Sequence, residues 1–533
     1  MALVNLKNKK NGVTYVYDSV SYWDSKKAQP RNRRTCIGKL DPETSEIIYN
    51  KRYIEKQQLE VQKKQLGRHT TIDSQRRFYG ATYLFDCIVD KLGVREDLNR
   101  CFGELSNQIL SIAYYLVLED RAPMSRFARW AHTHEHPFAK EIPSQRSSEL
   151  FRNITEDAKQ RFFLFQSKRR SEVEYLAYDT TSISSYSQSI KQVKYGVNKD
   201  HDPLAQINLA LLFGQSSRLP VSYRKLPGNI SDVTTIKKLL HDVKYLDIKK
   251  VKLVLDRGFY SEANINALYT HHYKFLLGTK TSLRYVKDFF DKVHSTMATR
   301  CNYSVPHALY MRSTTVDWNY SYLKPRSGEK VKDTRRLYLH LYYDEQRATD
   351  EKIHFNKLLD QLEEELYSDK REARHEKMYT RYFTVHTTPK RGTQLTPNDE
   401  AIKEKENRMG YFALISNGIK DPKEAIEIYR NKDVIEKAYD DLKNRLSMHR
   451  TSVSSEESLD GKLFVQFIAL ILVSYIKQKM DKENLYKKFT LQGVLDELDV
   501  IEKFTHPQST PIVGEVTKKQ RMLFEKLGVE PIS

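Results

Sequence analysis

The sequence is poor in cysteine, and its cysteines form no pair at metal-ligand spacing. The four residues, Cys36, Cys87, Cys101 and Cys301, lie far apart in a chain of 533 residues. This spacing excludes a CxxC zinc module and a disulfide framework, and it favours a reducing compartment. A chain of this length is long enough for a large core divided among three or four domains.

Long apolar runs are also missing. The most apolar stretch, residues 463–476, is short and is interrupted by Gln466 and Ser474, which predicts a buried helix and not a membrane span. The N-terminal sequence MALVNLKNKKNG lacks the apolar segment of a signal peptide. We therefore expect a cytoplasmic protein.

Acidic residues are outnumbered by basic ones. Lys and Arg number 89 against 69 for Asp and Glu, and the formal net charge is +20. A charge excess of this size favours a polyanionic partner, for which nucleic acid is the usual candidate.

The first third of the chain predicts two basic regions. Residues 1–53 are rich in β-branched and aromatic residues and predict a β-rich region, either lying on a DNA backbone or forming a small solvated unit. Its basic residues are Lys7, Lys9, Lys10, Lys26, Lys27, Arg31, Arg33 and Arg34. Residues 54–170 begin with a polar linker or exposed helix and continue with helical periodicity, which suits a helical DNA-binding domain. The alternating histidines from His132 to His136 suit either a metal site or, as we expect, a loop.

The remainder predicts an α/β core with an interruption. Apolar strands alternate with helices over residues 171–284 and again over 409–500, which indicates a mixed sheet. Between them, residues 285–408 contain alternating strand patterns and predict a β-rich insertion. Residues 501–533 form a C-terminal tail.

Two predicted strands of this core end in aspartates. The segment EYLAYDTTSISS predicts a strand ending at Asp179, and VKLVLDRGFYS predicts one ending at Asp256. Ligand sites of open α/β sheets gather at the carboxyl ends of strands. A single aspartate in such a place is equally often a cap or turn residue.

A polar helix is predicted from Tyr429 to Lys443, because the segment lacks Gly and Pro and is rich in helix formers. Tyr429, Lys432, Glu436 and Lys443 fall within about 60° on one face. A carboxylate flanked by cations suits a divalent metal together with phosphate oxygens, although a solvated charged face has the same pattern. Asp433 and Asp440 lie near the same sector and are alternatives to Glu436.

Two strand aspartates and a helical glutamate supply three carboxylates, enough to hold two hard cations. Mg²⁺ and Mn²⁺ prefer oxygen ligands, and two such ions clamp the attacking and leaving oxygens of an in-line phosphoryl transfer. The ions must lie close together, so the carboxylates must stand on rigid elements.

The order strand-Asp, strand-Asp, helix-Glu resembles the DDE transposases of bacterial insertion sequences, whose catalytic domain is ribonuclease H-like. One branch has a signature of Tyr, two residues, Arg, three residues, Glu, six residues, Lys, and a β-strand insertion before the Glu. This chain matches at Tyr429, Glu436 and Lys443, with Lys432 in place of Arg. Glu436 lies 180 residues after Asp256, whereas Asp256 lies 77 residues after Asp179. The segments YDTTS and LDRGFYSEANI also resemble this branch, and the likeness covers about residues 173–480.

The resemblance implies a role for each matching residue. Asp179, Asp256 and Glu436 would bind catalytic Mg²⁺ or Mn²⁺, two ions in all. Tyr429, Lys432 and Lys443 would contact DNA phosphates, and Lys432 keeps the charge of Arg without its bidentate fork. Trp318 would either stack on a flipped base, as a tryptophan of the insertion does in some relatives, or form part of a β-domain core, which is the commoner role.

The implied protein is a DNA transposase. It would bind the terminal inverted repeats of its own element, hydrolyse the ends to leave 3′-hydroxyls and join them to target double-stranded DNA, self-associating in a synaptic complex in the bacterial nucleoid. Two rivals remain: a stand-alone ribonuclease H-like nuclease and a domesticated, inactive DNA-binding protein. Retention of all three carboxylates argues against the inactive protein.

Overall fold

The computed structural model describes residues 2–24, 29–42, 44, 46–56, 74–121, 123–170, 173–248, 250–323, 328–368, 370–388, 392–451, 453, 455–507 and 509–532. Lys26, Lys27 and most of the predicted linker from Ile54 to Arg77 lie outside these ranges. The chain divides into two compact units, one of residues 1–77 with 502–514 and one of residues 78–501 with 515–533.

The first unit is built of strands, as the sequence of its N-terminal part predicts. An antiparallel sheet of order β1-β2-β3-β4 contains β1 (Ala2–Lys7), β2 (Thr14–Asp24), β3 (Gln29–Leu40) and β4 (Ile47–Tyr49). Val16 and Ile37 are buried in it. A second sheet, of order β19-β18-β5, contains β5 (Gln75–Phe78), β18 (Glu502–His506) and β19 (Ser509–Val513).

The second unit begins with the predicted helical segment. Its helices are α1 (Gly80–Lys91), α2 (Val94–Phe102), α3 (Leu105–Leu118), α4 (Phe127–Thr133), α5 (Ser144–Asn153) and α6 (Glu156–Lys168). Glu96 and Asp97 lie in the first turn of α2, where carboxylates favour the positive end of the helix dipole. The Thr155 hydroxyl accepts a hydrogen bond from the Ala158 amide and caps α6.

A mixed sheet forms the centre of this unit. Its order is β11-β12-β13-β16-β10-β9-β6-β7-β8, with β17 paired to β6. The strands are β6 (Tyr175–Ser185), β7 (Gln206–Gly214), β8 (Pro220–Pro227), β9 (Lys252–Leu255), β10 (Lys274–Thr279), β11 (Tyr303–Ser304), β12 (Leu309–Leu323), β13 (Lys330–Tyr343), β16 (Tyr411–Ser416) and β17 (Arg450–Thr451). Strand β6 runs parallel to β9, β9 runs parallel to β10, and β7 is antiparallel to both β6 and β8.

Helices accompany the sheet along the chain. They are α7 (Asp232–Tyr245), α8 (Glu262–Thr270), α9 (Arg284–Met297), α13 (Pro422–Arg430), α14 (Asp433–Asp440), α15 (Glu456–Lys482), α16 (Leu491–Asp499) and α17 (Lys518–Lys526). The alternation of apolar strands and helices thus yields the mixed α/β fold that it predicts.

The segment between β10 and β16 contains helices as well as strands. Besides α9 it holds α10 (Glu345–Tyr367), α11 (Glu376–Tyr382) and α12 (Asp399–Glu406), with the hairpin of β14 (Phe383–Thr388) and β15 (Gly392–Pro397). The long hairpin of β12 and β13 does not form a separate sheet, because β13 pairs with β16 and extends the central sheet.

Helix α15 is the longest described helix and supports the sheet and the helical segment together. It packs on β8, α3 and α5, and Gly461 permits the approach of α5, since a Cβ there would lie 2.1 Å from the Phe151 carbonyl oxygen. By length and composition α15 alone among the described helices could cross a membrane, yet 89% of its apolar window is buried in the protein. The prediction of a buried helix is confirmed.

Candidate active site

Asp179 and Asp256 stand on neighbouring parallel strands. The last residue pair of the β6–β9 ladder is Tyr178 with Leu255, and each aspartate directly follows its member of that pair in the sequence. Asp256 follows the end of β9, as predicted. Asp179 does not end β6, because β7 continues to pair with β6 as far as Ser184. The site lies where β9 ends beside β6.

Tyr429 holds the Asp256 carboxylate. The phenol of Tyr429 donates a 2.6 Å hydrogen bond to Oδ1 of Asp256. Burial alone would raise the pKa of Asp256, but this hydrogen bond and the charge of Lys432 outweigh burial and lower the pKa below its usual value. Gly278 leaves room for the contact, since a Cβ there would lie 2.8 Å from the Tyr429 hydroxyl oxygen. Asp256 is therefore ionised and oriented.

The predicted continuous helix from Tyr429 to Lys443 is interrupted. Helix α13 ends at Arg430 and α14 begins at Asp433, while Asp441–Arg445 forms a π-helical turn. The amide of Lys432 donates to the Tyr429 carbonyl, three residues back, so the backbone tightens at this junction. The four signature residues consequently do not share one regular helical face.

Lys432 interacts electrostatically with all three predicted carboxylates. Its side chain is 8% exposed, and its Nζ donates a 2.8 Å hydrogen bond to Oε1 of Glu436. Burial would lower the pKa of Lys432, but the hydrogen bond to Glu436 and the charges of Asp256 and Asp179 outweigh burial and raise it. The ammonium of Lys432 therefore pairs with the helical glutamate, and the charges of the two strand aspartates stabilise it further.

Two further charged residues complete the site, and neither was identified from the sequence as a site residue. Nζ of Lys199 lies 3.6 Å from Oδ1 of Asp179 and 3.2 Å from Oδ2 of Asp232. It also donates to the carbonyl and the hydroxyl of Thr180, at 2.7 and 2.8 Å. Asp232, in the first turn of α7, accepts from the Thr180 hydroxyl.

The pKa of Asp179 is shifted in the opposite direction from that of Asp256. Burial raises the pKa of Asp179, the neighbouring Lys199 and Lys432 charges oppose this, and the Asp256 charge reinforces it. A divalent cation would remove both causes of the rise, because it would replace the lost hydration and neutralise the repulsion between the two aspartates.

The charges and donor atoms of this cluster fit divalent cations. Four carboxylates, those of Asp179, Asp232, Asp256 and Glu436, lie among the positive charges of Lys199, Lys432 and Arg257, which leaves one negative charge in excess when all are ionised. All the acidic ligands offer oxygen, the donor preferred by Mg²⁺ and Mn²⁺. Glu436 has a side chain 59% exposed and is open to solvent.

The alternatives to Glu436 make other contacts. Asp440 accepts a hydrogen bond from Asn444. Asp433 lines a cavity of about 620 Å³ together with Lys437 and Lys477. Tyr439, on α14, is buried and donates a 2.6 Å hydrogen bond to the Asp179 carbonyl, which fixes the helix against β6.

Lys443 and Trp318, the remaining predicted DNA-binding residues, contact other side chains of the protein. Nζ of Lys443 lies 2.8 and 2.6 Å from the two carboxylate oxygens of Asp200. Trp318, on β12, is 8% exposed, donates a 2.8 Å hydrogen bond to the Asn266 side chain and meets Tyr285 edge to face. These contacts favour the core role of Trp318 over stacking on a base.

A second group of ligand types lies in the segment between β10 and β16. Ligand atoms of Glu365, Glu372 and His375 lie within 4.8 Å of one another. Tyr379 and the Nδ1 of His375 both contact Glu365, which lowers its pKa to about 2. The Glu365 carboxylate is thus hydrogen-bonded within the protein.

The alternating histidines have structural contacts. His134 stacks on Trp130 and lies 3.1 Å from Asp499, and His136 contacts the Ser111 hydroxyl. Among the described residues, this run is not part of a three-ligand group. The expectation of a loop holds from His134 onward, whereas His132 belongs to α4.

Comparisons with known proteins place the site in a family. A piggyBac transposase, solved in a synaptic complex with hairpin DNA, matches with 9% identity over 74% of this chain and 70% of that chain, at a TM-score of 0.38. No curated protein matches the chain.

The sequence-family model of the transposase DDE domain matches residues 174–472 of this chain. This range contains β6, β9 and α14 and therefore all three predicted carboxylates, and it implies a DNA-cleaving enzyme that depends on divalent metal. Since the match covers more than half of the 533 residues, the protein belongs to the DDE-domain transposase family.

Proposed function

We propose that the protein is the DNA transposase of a bacterial insertion sequence, from the branch with the Tyr-Arg-Glu-Lys signature. The observation that carries the proposal is the pair Asp179 and Asp256, side by side at neighbouring parallel strands, together with the ion pair of Lys432 and Glu436, inside the matched DDE domain. Hydrolysis at the ends of the element would leave 3′-hydroxyls, which then attack target DNA.

The catalytic core is proposed to be ribonuclease H-like, formed by residues 171–284 and 409–500 around an insertion of residues 285–408. Support comes from the order β8-β7-β6-β9-β10, which is 3-2-1-4-5 in chain order with the second strand antiparallel. Residues 1–53 and 54–170 are the proposed DNA-binding regions, and 501–533 are the tail.

Asp179, Asp256 and Glu436 would hold two ions, Mg²⁺ or Mn²⁺. Bound there, the ions would supply an activated water and stabilise the leaving oxygen. Tyr429 orients Asp256 through its hydrogen bond. Lys432, already paired with Glu436, would contact a phosphate of the bound DNA.

Double-stranded DNA is the proposed partner, both as the terminal repeats of the element and as the target. Lys443 would contact a phosphate after leaving Asp200, and Trp318 would need to leave its buried contacts to stack on a base. Two ends must be brought together, so we propose self-association in the active complex, in the nucleoid of a bacterial cytoplasm.

A strand-transfer assay tests this proposal against its rivals. Duplexes carrying the DNA that borders the gene are incubated with Mn²⁺ and a supercoiled plasmid, using wild type, Asp256→Asn and the matched control Asp440→Asn. We expect cleavage at the element boundary and joined products with wild type and Asp440→Asn only. Cleavage without joining and without boundary preference favours the stand-alone nuclease. Specific binding without cleavage by any of the three favours the inactive protein.

A further inference from the structure

Part of the β2–β3 hairpin extends beyond its sheet. Within the described residues, β1 pairs with β2 no further than Ser19, and β4 pairs with β3 only from Gly38 to Leu40. Beyond Ser19 and Arg34 the two strands pair only with each other, ending at Asp24 with Gln29. We call residues 20–24 and 29–34 the distal ribbon.

The distal ribbon is exposed on both faces. Residues 20–23 and 29–34 are all solvent-exposed, in contrast to the buried Val16 and Ile37 at the base of the same hairpin. Trp23 is 66% exposed, and Val20 and Tyr22 are 48% and 47% exposed. A two-stranded ribbon with apolar side chains in water is marginally stable by itself, so these side chains indicate a binding surface.

The charge of the distal ribbon identifies its partner. Residues 20–24 and 29–34 contain three basic residues, Arg31, Arg33 and Arg34, and one acidic residue. The acidic one, Asp24, lies 3.5 Å from the Nε of Arg31. A net charge of this sign on an exposed aromatic surface complements a polyanion that also offers bases.

The arrangement of side chains fits one groove of a duplex. Cross-strand partners Val20 with Arg33 and Tyr22 with Arg31 alternate with the pairs that project from the other face. One face therefore carries two arginines beside an apolar and an aromatic side chain. The major groove of B-DNA admits a two-stranded β-ribbon, arginine binds the guanine edge there, and an apolar group contacts the thymine methyl.

We propose that the distal ribbon enters the major groove of duplex DNA and that Arg31 and Arg33 contact base edges. The inference rests on the proposed function in one respect, the identity of the DNA, which is taken to be the terminal repeat of the element. It adds to that function a sequence-reading element outside the DDE domain.

The test compares binding of two 40-base-pair duplexes, one containing the repeat that borders the gene and one of scrambled sequence, by fluorescence anisotropy at fixed salt. The proteins are wild type, the double variant Arg31→Gln/Arg33→Gln, the charge-keeping Arg31→Lys/Arg33→Lys, and the matched control Lys9→Gln/Lys10→Gln. The control removes two exposed charges from the turn before β2 of the same sheet.

We expect the Gln variant to lose roughly 10–100-fold or more in affinity for the repeat and most of its preference over the scrambled duplex, because each bidentate arginine–base contact discriminates by about that order. The Lys variant should lose the preference but keep binding to the scrambled duplex, since lysine retains the charge without the fork. The control should weaken both duplexes equally. Equal preference in the Gln variant and the control overturns the proposal, and so does a wild type that binds neither duplex.

Methylation of guanine N7 gives the decisive reading, because N7 lies in the major groove. Methylation within the repeat should interfere with binding of wild type and the control but not of the Gln variant. Interference that persists in the Gln variant overturns the proposal. Failure of the proposed function is recognised separately: boundary cleavage is then absent, while the duplex-binding results still decide the role of the distal ribbon.

Discussion

The hydrogen bond between Tyr429 and Asp256 is the contact whose removal tests the geometry of the site most sharply. Tyr429→Phe deletes one oxygen atom and keeps the ring, which packs against the apolar cluster around Leu414 and Ile426. The Asp256 carboxylate then loses a donor 2.6 Å away while its burial stays the same.

The magnitude follows from the type of hydrogen bond. A bond to an ionised group contributes about 1.5–3 kcal/mol, so the variant should be less stable by about that amount at pH 7. Groups that orient a metal ligand typically matter 10–100-fold for metal affinity, and we expect a loss of that size for Mn²⁺. Because the bond lowers the pKa of Asp256, its stabilising contribution is present above the usual carboxyl pKa and disappears as the pH falls through the lowered value.

The assay is a Mn²⁺ titration by isothermal calorimetry, with urea unfolding at pH 7 and pH 3.5. Tyr342→Phe is the matched control, since the Tyr342 hydroxyl lies in the same apolar cluster but donates a 2.8 Å hydrogen bond to the uncharged Pro422 carbonyl. It should lose a smaller amount of stability, about 1 kcal/mol, at both pH values and keep its Mn²⁺ affinity.

Two results would refute this reasoning. One is a Tyr429→Phe protein that binds Mn²⁺ as tightly as wild type. The other is an equal loss of metal affinity in Tyr342→Phe, which would attribute the effect to general loosening of the cluster and not to Asp256.

Three other consequences can be measured. Burial lowers the pKa of His340 to about 4, so below the usual pKa of 6.5 the unfolded chain binds the proton before the folded protein does. The free energy of unfolding should therefore fall by about 3 kcal/mol between pH 7 and pH 4. Urea midpoints should depend less on pH in His340→Gln than in wild type, and an unchanged dependence would contradict this. Gly461→Ala would place a Cβ 2.1 Å from the Phe151 carbonyl oxygen and should cost about 1–3 kcal/mol, seen as a lower melting temperature, whereas an unchanged value would show that α15 and α5 can separate freely. Lys443→Met should weaken binding to DNA of every sequence, and the slope of log K against log salt concentration should become smaller by about 1. An unchanged slope would show that Lys443 pairs only with Asp200 and contacts no phosphate.

The strand pattern made much of the central sheet predictable. Largely apolar runs such as residues 207–213 and 252–255 are typical of buried strands, and both lie in strands of the sheet. Their order could not be deduced, because pairing depends on contacts between distant segments. The β12–β13 hairpin shows this: its sequence alternates like a separate β-domain, yet it joins the central sheet through β16.

The site was predictable only in part for a related reason. Asp256 is marked by the end of an apolar strand, whereas Asp179 lies inside β6, where Thr and Ser residues continue the pairing with β7. Lys199 and Asp232 come from segments whose sequence has no distinguishing pattern, and tertiary folding brings them to Asp179. The break before Asp433 follows from local hydrogen bonding, which helix propensity does not indicate.

The central claim is that Glu436 completes the metal-binding carboxylates of a transposase. Cleavage of DNA carrying the gene's own flanks, with Mg²⁺ or Mn²⁺, should be compared between wild type and Glu436→Gln, with Asp433→Asn as the matched control. We predict cuts at the element boundaries by wild type and Asp433→Asn, and none by Glu436→Gln although it still binds the ends. Equal cutting by Glu436→Gln and wild type would contradict the assignment of Glu436.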